Sequence, residues 1–360
     1  MRFEKNRNLR SSGDTYYWHQ DWMKMTMISP FIIAEIGNMH EGSVGLAKAF
    51  IKEVAACGAD AVKFQTHLFD AESLPNAPNP PYFREESRSQ YFQRTSFDVS
   101  QWKDLKEYAE NECHIRFLSS VFSIEAVDML EKIDIGMYKI PSGEVSNIPM
   151  LERIAQTGKT VLLSSGMSNW SELGRAVNVF KGIEYGDLVL LQCSSIYPCP
   201  PEKTGLNILG QMKERYSTKI GFSDHTLGFS AAVAAVVLGA EVIEKHFTLS
   251  RKMYGSDAPF SIEPDDFRRY VSEIRDMALA LSIKIDKDTM CSELQEMKVI
   301  FEKSIVAKRE LSEGTIINIE CLAFRKPGDG IPAAKYNELI GRRTKVNIPK
   351  DTKLTENMLE

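Results

Sequence analysis

The sequence has no long hydrophobic run. No apolar segment approaches the roughly 18 consecutive residues that a membrane-spanning helix needs. The opening residues, MRFEKNRNLRSSGDTYYWHQDW, also lack the apolar centre of a secretory signal. We therefore expect a protein that is neither inserted in a membrane nor secreted, and that works in the cytoplasm.

Cysteine is scarce as well, and basic residues are not in excess. The six cysteines lie far apart without CxxC spacing, so we expect reduced and mostly buried thiols. The 44 Lys and Arg residues are outnumbered by 49 Asp and Glu residues, which gives a net charge of −5. Proteins that bind nucleic acid hold its phosphates with clustered Lys and Arg. The charge thus argues against nucleic acid as the main partner.

What the sequence does contain is a regular alternation of short apolar runs and longer amphipathic stretches. The alternation repeats eight times between Phe31 and about Ile285, which is typical of a closed parallel α/β barrel of ~250 residues. An open, doubly wound sheet is the alternative. The predicted strands are FIIAEI, DAVKFQT, IRFLSS, GMYKI, TVLLSS, DLVLLQC, KIGF and EVIEKHF.

Composition changes divide the chain into segments. We predict an extension over 1–27, a barrel domain over 28–285, a linker over 286–300 and a small β-rich domain over 301–360, where short strand-like pieces alternate with Gly-rich turns. One connection inside the barrel, residues 67–97, is unusually long. An insertion on that side of a barrel usually forms a wall or lid of the site.

Polar residues stand at nearly every predicted strand end. The carboxyl ends of the strands form the site in barrels of this type, so many polar ends together predict a site there. A single polar residue at a strand end is as often a structural hydrogen-bond partner as a functional residue. The residues are Glu35, Lys63, Gln65, Ser119, Ser120, Lys139, Ser142, Glu144, Ser164, Ser165, Ser195, Tyr197, Ser223, Asp224, His225, Glu244 and His246.

Two pairs in this set indicate particular chemistry. Lys63 and Lys139 suit an anionic substrate, because an ammonium group neutralises phosphate or carboxylate; alternatively, either lysine balances a carboxylate of the barrel. His225 and His246 end neighbouring strands and could share one divalent metal ion, with positions left open for water and substrate. From the residues alone, core packing explains the two histidines equally well.

Seven motifs in a fixed order resemble the sialic acid synthase family. They are AEIGNMHEG, ADAVKFQTH, YKIPSGEVSNIPML, LLSSGMS, QCSSIYPCPPE, GFSDHT and VIEKHF. Nearer the carboxyl terminus, SIVAKRELSEG and RKPGDGIP resemble the antifreeze-like domain of that family. The resemblance implies a TIM (β/α)8 barrel followed by a small β-rich antifreeze-like (SAF, β-clip) domain.

The resemblance also implies a reaction. Phosphoenolpyruvate would condense with N-acetylmannosamine, or a related N-acyl amino sugar, and water to give a nine-carbon 2-keto acid and phosphate. By motif position, Glu35 and Glu144 would transfer protons or orient water, and His225 and His246 would bind Mn2+ or Mg2+. The phosphoenolpyruvate-binding residues would be Lys63, Ser120, Lys139, Ser142, Ser164 and Ser223. Gln65, Tyr197 and Asp257 would contact the sugar.

The family likeness further implies a homodimer with exchanged carboxyl-terminal domains, each sending an arginine into the partner's site. Here Lys326 occupies the matching position and Arg325 precedes it, so we assign sugar recognition to one of these two, although Lys lacks the planar fork of Arg. The likeness does not fix the sugar. Synthesis of legionaminate or pseudaminate from a diacetamido-trideoxy hexose is the alternative.

Two further functions remain open at this point. A Schiff-base aldolase would use a strand-end lysine, for which Lys63, Lys139 and Lys245 are candidates. A non-catalytic carbohydrate-binding protein would keep the barrel only as a relic. The intact set of charged strand ends favours an enzyme.

Overall fold

Eight parallel strands form a closed barrel in the computed structural model, which describes residues 29–80, 85–181 and 187–360. The strands are β1 (Phe31–Gly37), β2 (Ala61–Thr66), β3 (Arg116–Val121), β4 (Met137–Ile140), β5 (Thr160–Ser164), β6 (Leu188–Cys193), β7 (Lys219–Asp224) and β8 (Val242–His246). β1 pairs with both β2 and β8, so the sheet has no edge. The predicted barrel is confirmed, and the open sheet is wrong.

Helices connect the strands around the outside. They are α1 (Val44–Ala56), α2 (Phe69–Glu72), α3 (Arg88–Thr95), α4 (Val99–Glu107), α5 (Ile124–Glu131), α6 (Ile148–Ala155), α7 (Trp170–Phe180), α8 (Asn207–Tyr216), α9 (Ser230–Val237) and α10 (Pro264–Ser282). Local sequence explains where several begin. Asp98 and Asn169 close capping boxes at the starts of α4 and α7, which satisfy backbone N–H groups that have no partner within the helix.

The two-residue period of the strands divides the buried apolar residues into two clusters. Outward-facing residues such as Ile32, Ala34 and Phe64 pack under the helices. Inward-facing residues fill the barrel: Ile33, Ala61, Leu118, Met137, Leu162, Val189, Leu191 and Val242. Because side chains alternate, the next inward positions towards the carboxyl ends lie above this apolar plug. Those positions are polar, and they locate the site.

The long connection after β2 carries α2 and α3 and contacts two other connections. Arg94 of α3 forms an ion pair with Glu41, from the β1 connection, at 2.7 Å and a second one with Glu86. Tyr254, in the connection after β8, donates a hydrogen bond to Glu86 Oε1 at 2.9 Å. Three connections at the carboxyl ends of the strands are thus joined, where a wall of the site was predicted.

Ile283–Glu360 form a second compact unit. It contains α11 (Lys287–Glu293), α12 (Gln295–Phe301), β9 (Ser304–Ala307), β10 (Leu322–Arg325) and α13 (Tyr336–Leu339). β9 and β10 pair antiparallel, and this unit has a separate hydrophobic core that includes Ile305, Leu311 and Leu354. The predicted linker, 286–300, consists mostly of α11 and α12, whose side chains are largely exposed. The predicted extension, 1–27, lies outside the described residues.

Two expectations about composition can be compared with the fold. All six cysteines are free, and four of them are buried. Among the described residues, no helix is both long and apolar enough to cross a membrane.

Gly221 of β7 offers a test of packing inside the barrel. A Cβ atom there would lie 2.4 Å from Leu191 Cδ2 and 2.6 Å from the Val242 carbonyl oxygen. Gly221→Ala should therefore destabilise the protein by about 1–3 kcal/mol and lower its thermal unfolding temperature.

Gly210→Ala is the matched control. Gly210 is exposed in α8, and a Cβ atom there meets nothing within 4 Å. Since alanine favours a helix more than glycine does, this change should stabilise the protein by up to about 1 kcal/mol. If the two variants unfolded at the same temperature, the packing argument would be wrong.

Candidate active site

Every strand of the barrel contributes a polar inward-facing residue near its carboxyl end. We call these residues the polar lining: Glu35, Lys63, Ser120, Lys139, Ser164, Cys193, Ser223 and Glu244. All eight are buried. Each follows an apolar inward residue two positions earlier, except that Ser223 follows Gly221. The closed sheet therefore gathers them above one apolar plug.

Charge holds the polar lining together. Lys63 Nζ lies 2.6 Å from Glu35 Oε2 and 3.6 Å from Glu244 Oε2, and it donates to Ser120 Oγ at 2.9 Å. Lys139 Nζ lies 3.0 Å from Glu244 Oε1. Glu244 of β8 is thus the shared counter-ion of two lysines, one from β2 and one from β4. The sequence placed it among the polar strand ends but gave it no role.

The two carboxylates differ in how readily they take up a proton. Burial raises the pKa of Glu35, and Lys63 opposes that shift only in part. Burial acts in the same direction on Glu244, but Lys139 and Lys63 outweigh it and hold the pKa of Glu244 far below its usual range. For Lys63, burial is outweighed by Glu244 and Glu35, so its pKa is raised. Glu244 is consequently a fixed anion, whereas Glu35 is suited to exchange a proton.

His225 and His246 lie side by side above the polar lining. Their ring centroids are 5.4 Å apart and the rings are inclined by 55°. His225 Nδ1 lies 2.7 Å from the Ser194 carbonyl oxygen and must donate to it, so in the neutral ring the lone pair is on Nε2. Burial lowers the pKa of His225, but Cys193 and the Ser194 carbonyl outweigh it and raise that pKa. His246 Nδ1 is buried without a hydrogen-bond partner and lies 3.6 Å from Asp257 Oδ2.

These residues fit a divalent cation that takes further ligands from substrate or water. Burial and the neighbouring His225 lower the pKa of His246 well below its ordinary value, so the ring is neutral, as a metal ligand must be. His246 Nδ1 has no hydrogen-bond partner, so in the tautomer with its proton on Nε2 the lone pair on Nδ1 is unused. Within the described ranges, no group of three or more His, Cys, Asp or Glu side chains has the arrangement of a metal site. The two imidazoles would therefore leave further coordination positions to water or substrate.

The residues predicted to contact sugar adjoin this pair. Tyr197 packs on His225 with ring centroids 4.1 Å apart. Gln65 and Asp257 meet beside Gly37, where an added Cβ atom would lie 3.3 Å from Gln65 Nε2 and 3.0 Å from Asp257 Oδ2. Because Gly37 has no side chain, the space next to these two polar groups stays open.

The predicted phosphoenolpyruvate-binding residues divide between the polar lining and one adjacent turn. Lys63, Ser120, Lys139, Ser164 and Ser223 belong to the lining. The Ser164 hydroxyl is buried without a hydrogen-bond partner. Ser142 lies in the turn after β4, where a Cβ atom on Gly166 would lie 2.6 Å from its Oγ and 2.5 Å from Ser195 Oγ. The two hydroxyls thus flank an open position.

Glu144, the second predicted proton-transfer residue, has a different environment. Its carboxylate accepts a hydrogen bond from Asn147 Nδ2 at 2.9 Å, and Asn147 caps the start of α6. Burial raises the pKa of Glu144, partly opposed by Asn147. Its contacts are therefore with α6 and not with the lining, and its catalytic role stays a prediction.

Ser119, Asp224 and Lys245, which were expected at the site, face outward. Ser119 bonds to Thr66 Oγ1 at 2.7 Å beneath the helices. Lys245 Nζ lies 2.9 Å from Asp224 Oδ2 and also donates to the Thr226 carbonyl oxygen. Strand alternation explains the correction, because each of these residues adjoins an inward-facing one. Lys245 is therefore not available to form an imine with a substrate in the barrel.

Arg325 and Lys326 lie at the end of β10 in the second unit. Arg325 pairs with Asp351 at 3.0 Å, and the Lys326 ammonium lies 4.8 Å from the centre of the Phe301 ring. Both side chains are thus described by contacts within their own unit. Their role in sugar recognition stays a prediction.

Cys193 is a residue of the lining that sequence reasoning missed. Its Sγ lies 3.9 Å from His225 Nδ1. Burial opposes ionisation of the thiol, but His225 and Lys139 lower the pKa of Cys193 to about 7. Its inward position in β6, two residues after Leu191, was the signal that would have identified it.

Comparisons with known proteins agree with these features. The NeuB family model matches residues 50–286, and the SAF domain model matches residues 302–360. N,N'-diacetyllegionaminic acid synthase of Campylobacter jejuni is 37% identical over 341 residues, covering 93% of this chain and 100% of that protein. Human N-acetylneuraminate-9-phosphate synthase is 32% identical over 337 residues, or 92% of each chain.

The chain is also similar to a solved structure of a protein named as a synthetase of this kind. The crystal structure of N-acetylneuraminic acid synthetase from Leptospira borgpetersenii, in complex with citrate, matches with a TM-score of 0.64 at 31% identity. The match covers 75% of this chain and 91% of that one.

Glu244 provides a test of the charge arrangement. Glu244→Gln removes the anion that Lys63 and Lys139 share, so buried Lys139 loses its counter-ion and Lys63 keeps only Glu35. We expect the free energy of unfolding to fall by about 3–5 kcal/mol, measured by denaturant titration. The control is Asp104→Asn, which breaks an exposed pair with Lys48 and should cost about 0–1 kcal/mol. Equal losses in the two variants would contradict the shared counter-ion.

Proposed function

This chain belongs to the NeuB family, and from that premise we propose that it condenses phosphoenolpyruvate with an N-acyl amino sugar and water. The products are a nine-carbon 2-keto acid of the sialic acid type and phosphate. The observation that carries the proposal is the gathering of Lys63, Lys139, His225 and His246 at one end of the barrel. That end combines anion-binding groups with two metal-ligand side chains.

We assign the enol phosphate to the polar lining. Lys63 and Lys139 provide positive charge, and the hydroxyls of Ser120, Ser164 and Ser223 provide hydrogen bonds. Both lysines are already paired with buried carboxylates, so an incoming phosphate or carboxylate would have to share or displace those partners. Because these groups are buried, each interaction with the substrate would be stronger than at the surface.

We propose that His225 and His246 hold a Mn2+ or Mg2+ ion. When bound, the ion would act as a Lewis acid at the aldehyde oxygen of the sugar. The neutral His246 ring and the fixed tautomer of His225 support this assignment. Tyr197 packs against both imidazoles, and Asp257 lies beside His246, so the sugar-binding residues adjoin the proposed ion.

Proton transfer falls to Glu35 in this proposal. Its raised pKa suits a group that takes a proton from water as the water adds to C2 of the enol phosphate. Lys63 remains charged beside Glu35 and would stabilise the ionised carboxylate between catalytic cycles. A charged lysine is also a poor imine-forming nucleophile, which disfavours the Schiff-base aldolase.

The identity of the sugar follows from the relatives only as a class. Their names include synthases of N,N'-diacetyllegionaminic acid and of N-acetylneuraminate-9-phosphate, at 37% and 32% identity. We propose N-acetylmannosamine or a diacetamido-trideoxy hexose as substrate. The homodimer with exchanged SAF domains, the role of Arg325 or Lys326, and the cytoplasmic location remain expectations from the sequence.

Phosphate release tests the activity. The purified protein should release phosphate from phosphoenolpyruvate only when an amino sugar and Mn2+ or Mg2+ are both present, and a chelator should stop the reaction. Product mass, measured across N-acetylmannosamine and 2,4-diacetamido-trideoxy hexoses, identifies the sugar. No release with any sugar of the panel would refute the proposal and favour a carbohydrate-binding protein.

Binding of Mn2+ tests the metal assignment without turnover. His225→Ala and His246→Ala should each weaken Mn2+ binding by more than the roughly 10- to 100-fold that losing a supporting residue costs. Electron paramagnetic resonance of free Mn2+ measures this directly. His114→Asn is the control, because His114 is exposed and lies on the turn before β3. Unchanged Mn2+ affinity in the two alanine variants would exclude these ligands.

A further inference from the structure

A chain of hydrogen bonds leads from the connection after β2 into the polar lining. Glu72 of α2 lies 2.9 Å from His67 Nδ1. His67 Nε2 lies 3.0 Å from Gln65 Oε1, and Gln65 Nε2 donates to Glu35 Oε1 at 2.7 Å. Glu35 in turn pairs with Lys63. Neither His67 nor Glu72 belongs to the residues predicted for the site.

The direction of these hydrogen bonds is fixed by their donors. Gln65 has its amide nitrogen on Glu35, so its oxygen faces His67 and needs a donor. His67 Nε2 therefore carries a proton. At Nδ1, one proton lies between the ring and Glu72, whether it resides on the imidazole or on the carboxyl group. In both cases the Nε2–H group points at Gln65.

The His67 ring has little freedom to turn away. It is stacked between Phe92 of α3, at 3.7 Å and 7°, and Phe122, which follows β3, at 3.9 Å and 21°. The residue is 6% exposed, and Ser96 Oγ donates to its carbonyl oxygen at 2.8 Å. The stacked rings set the plane of the imidazole, and Glu72 sets its rotation within that plane.

A second buried histidine shows what a packing role looks like in this barrel. His40 is fully buried and stacks on Phe97 with centroids 4.4 Å apart. Its Nδ1 accepts only a local hydrogen bond from the backbone N–H of Gly42, and its Nε2 has no partner. His67 differs because both of its nitrogens are bonded to side chains, one of which leads to Glu35.

We propose that His67, held by Glu72, is a positioning residue that orients the Gln65 amide and, through it, the Glu35 carboxylate. The proposal rests on the function proposed above, in which Gln65 contacts the sugar and Glu35 handles a proton. Without the Nε2–H donor, the Gln65 oxygen loses the hydrogen bond that holds the amide, and the amide can turn away to find another donor. Glu35 then loses the N–H group that orients its carboxylate.

His67→Phe tests the proposal, because the new ring retains the stack and lacks both ring nitrogens. We expect kcat to fall by roughly 10- to 100-fold and KM for the sugar to rise, while KM for phosphoenolpyruvate stays within about twofold of the parent. His67→Gln keeps an amide N–H near the Nε2 position and should recover most of the loss. Rescue by a donor distinguishes positioning from packing.

His40→Phe is the matched control, since it replaces the other stacked, buried histidine with the same ring. It should lower the thermal unfolding temperature no less than His67→Phe does, but leave the kinetic constants near those of the parent. Equal kinetic losses in the two phenylalanine variants, or no rescue by His67→Gln, would overturn the proposal.

A structural measurement separates this proposal from the proposed function. If the parent protein released no phosphate with any sugar, the function would fail, and crystal structures of the parent and His67→Phe would still judge the positioning role. A Gln65 amide that leaves Glu35 in the variant supports it. A Gln65 amide and a Glu35 carboxylate in unchanged positions overturn it.

Discussion

The site depends on burying two lysines and two glutamates in one closed end of a barrel. None of the four can be solvated there, so each must be paired within the polar lining. Glu244 pairs with both Lys63 and Lys139, and Glu35 is a second partner of Lys63. The result is a set of two buried cations and two buried anions that balance one another within the polar lining.

The fold could be predicted from the sequence because an eight-fold alternation of strand and helix leaves few arrangements. The side of the sheet that each polar residue faces was harder to assign. Ser119, Asp224 and Lys245 stand at strand ends as Ser120, Ser223 and Glu244 do, but one residue of offset turns them toward the helices. Counting from the apolar plug, rather than listing polar strand ends, separates the two sets.

The chain of hydrogen bonds through His67 could not be predicted from the sequence. The ring of His67 is held between Phe92 and Phe122, which are distant in the chain, and it is hydrogen-bonded to Glu72 and Gln65. Only the folded connection after β2 brings these side chains together. Cys193 was missed for a simpler reason, since a cysteine in an apolar strand is usually a core residue. The exact partner of a buried polar group is decided by three-dimensional contacts that no local pattern encodes.

The ends of β7 and β8 divide two tasks between adjacent residues. Asp224 and Lys245 are partners in register across the two strands, and their buried ion pair faces the helices, where Tyr270 donates to Asp224 at 3.2 Å. His225 and His246, each one residue further on, face the opposite way. This ion pair joins β7 and β8 one residue before the imidazoles. The distance between the two imidazoles is therefore fixed by a contact on the helix-facing side of the barrel. A chain that ends a core strand in Glu244, Lys245 and His246 thus places a counter-ion, half of an interstrand ion pair and a proposed metal ligand in three successive positions.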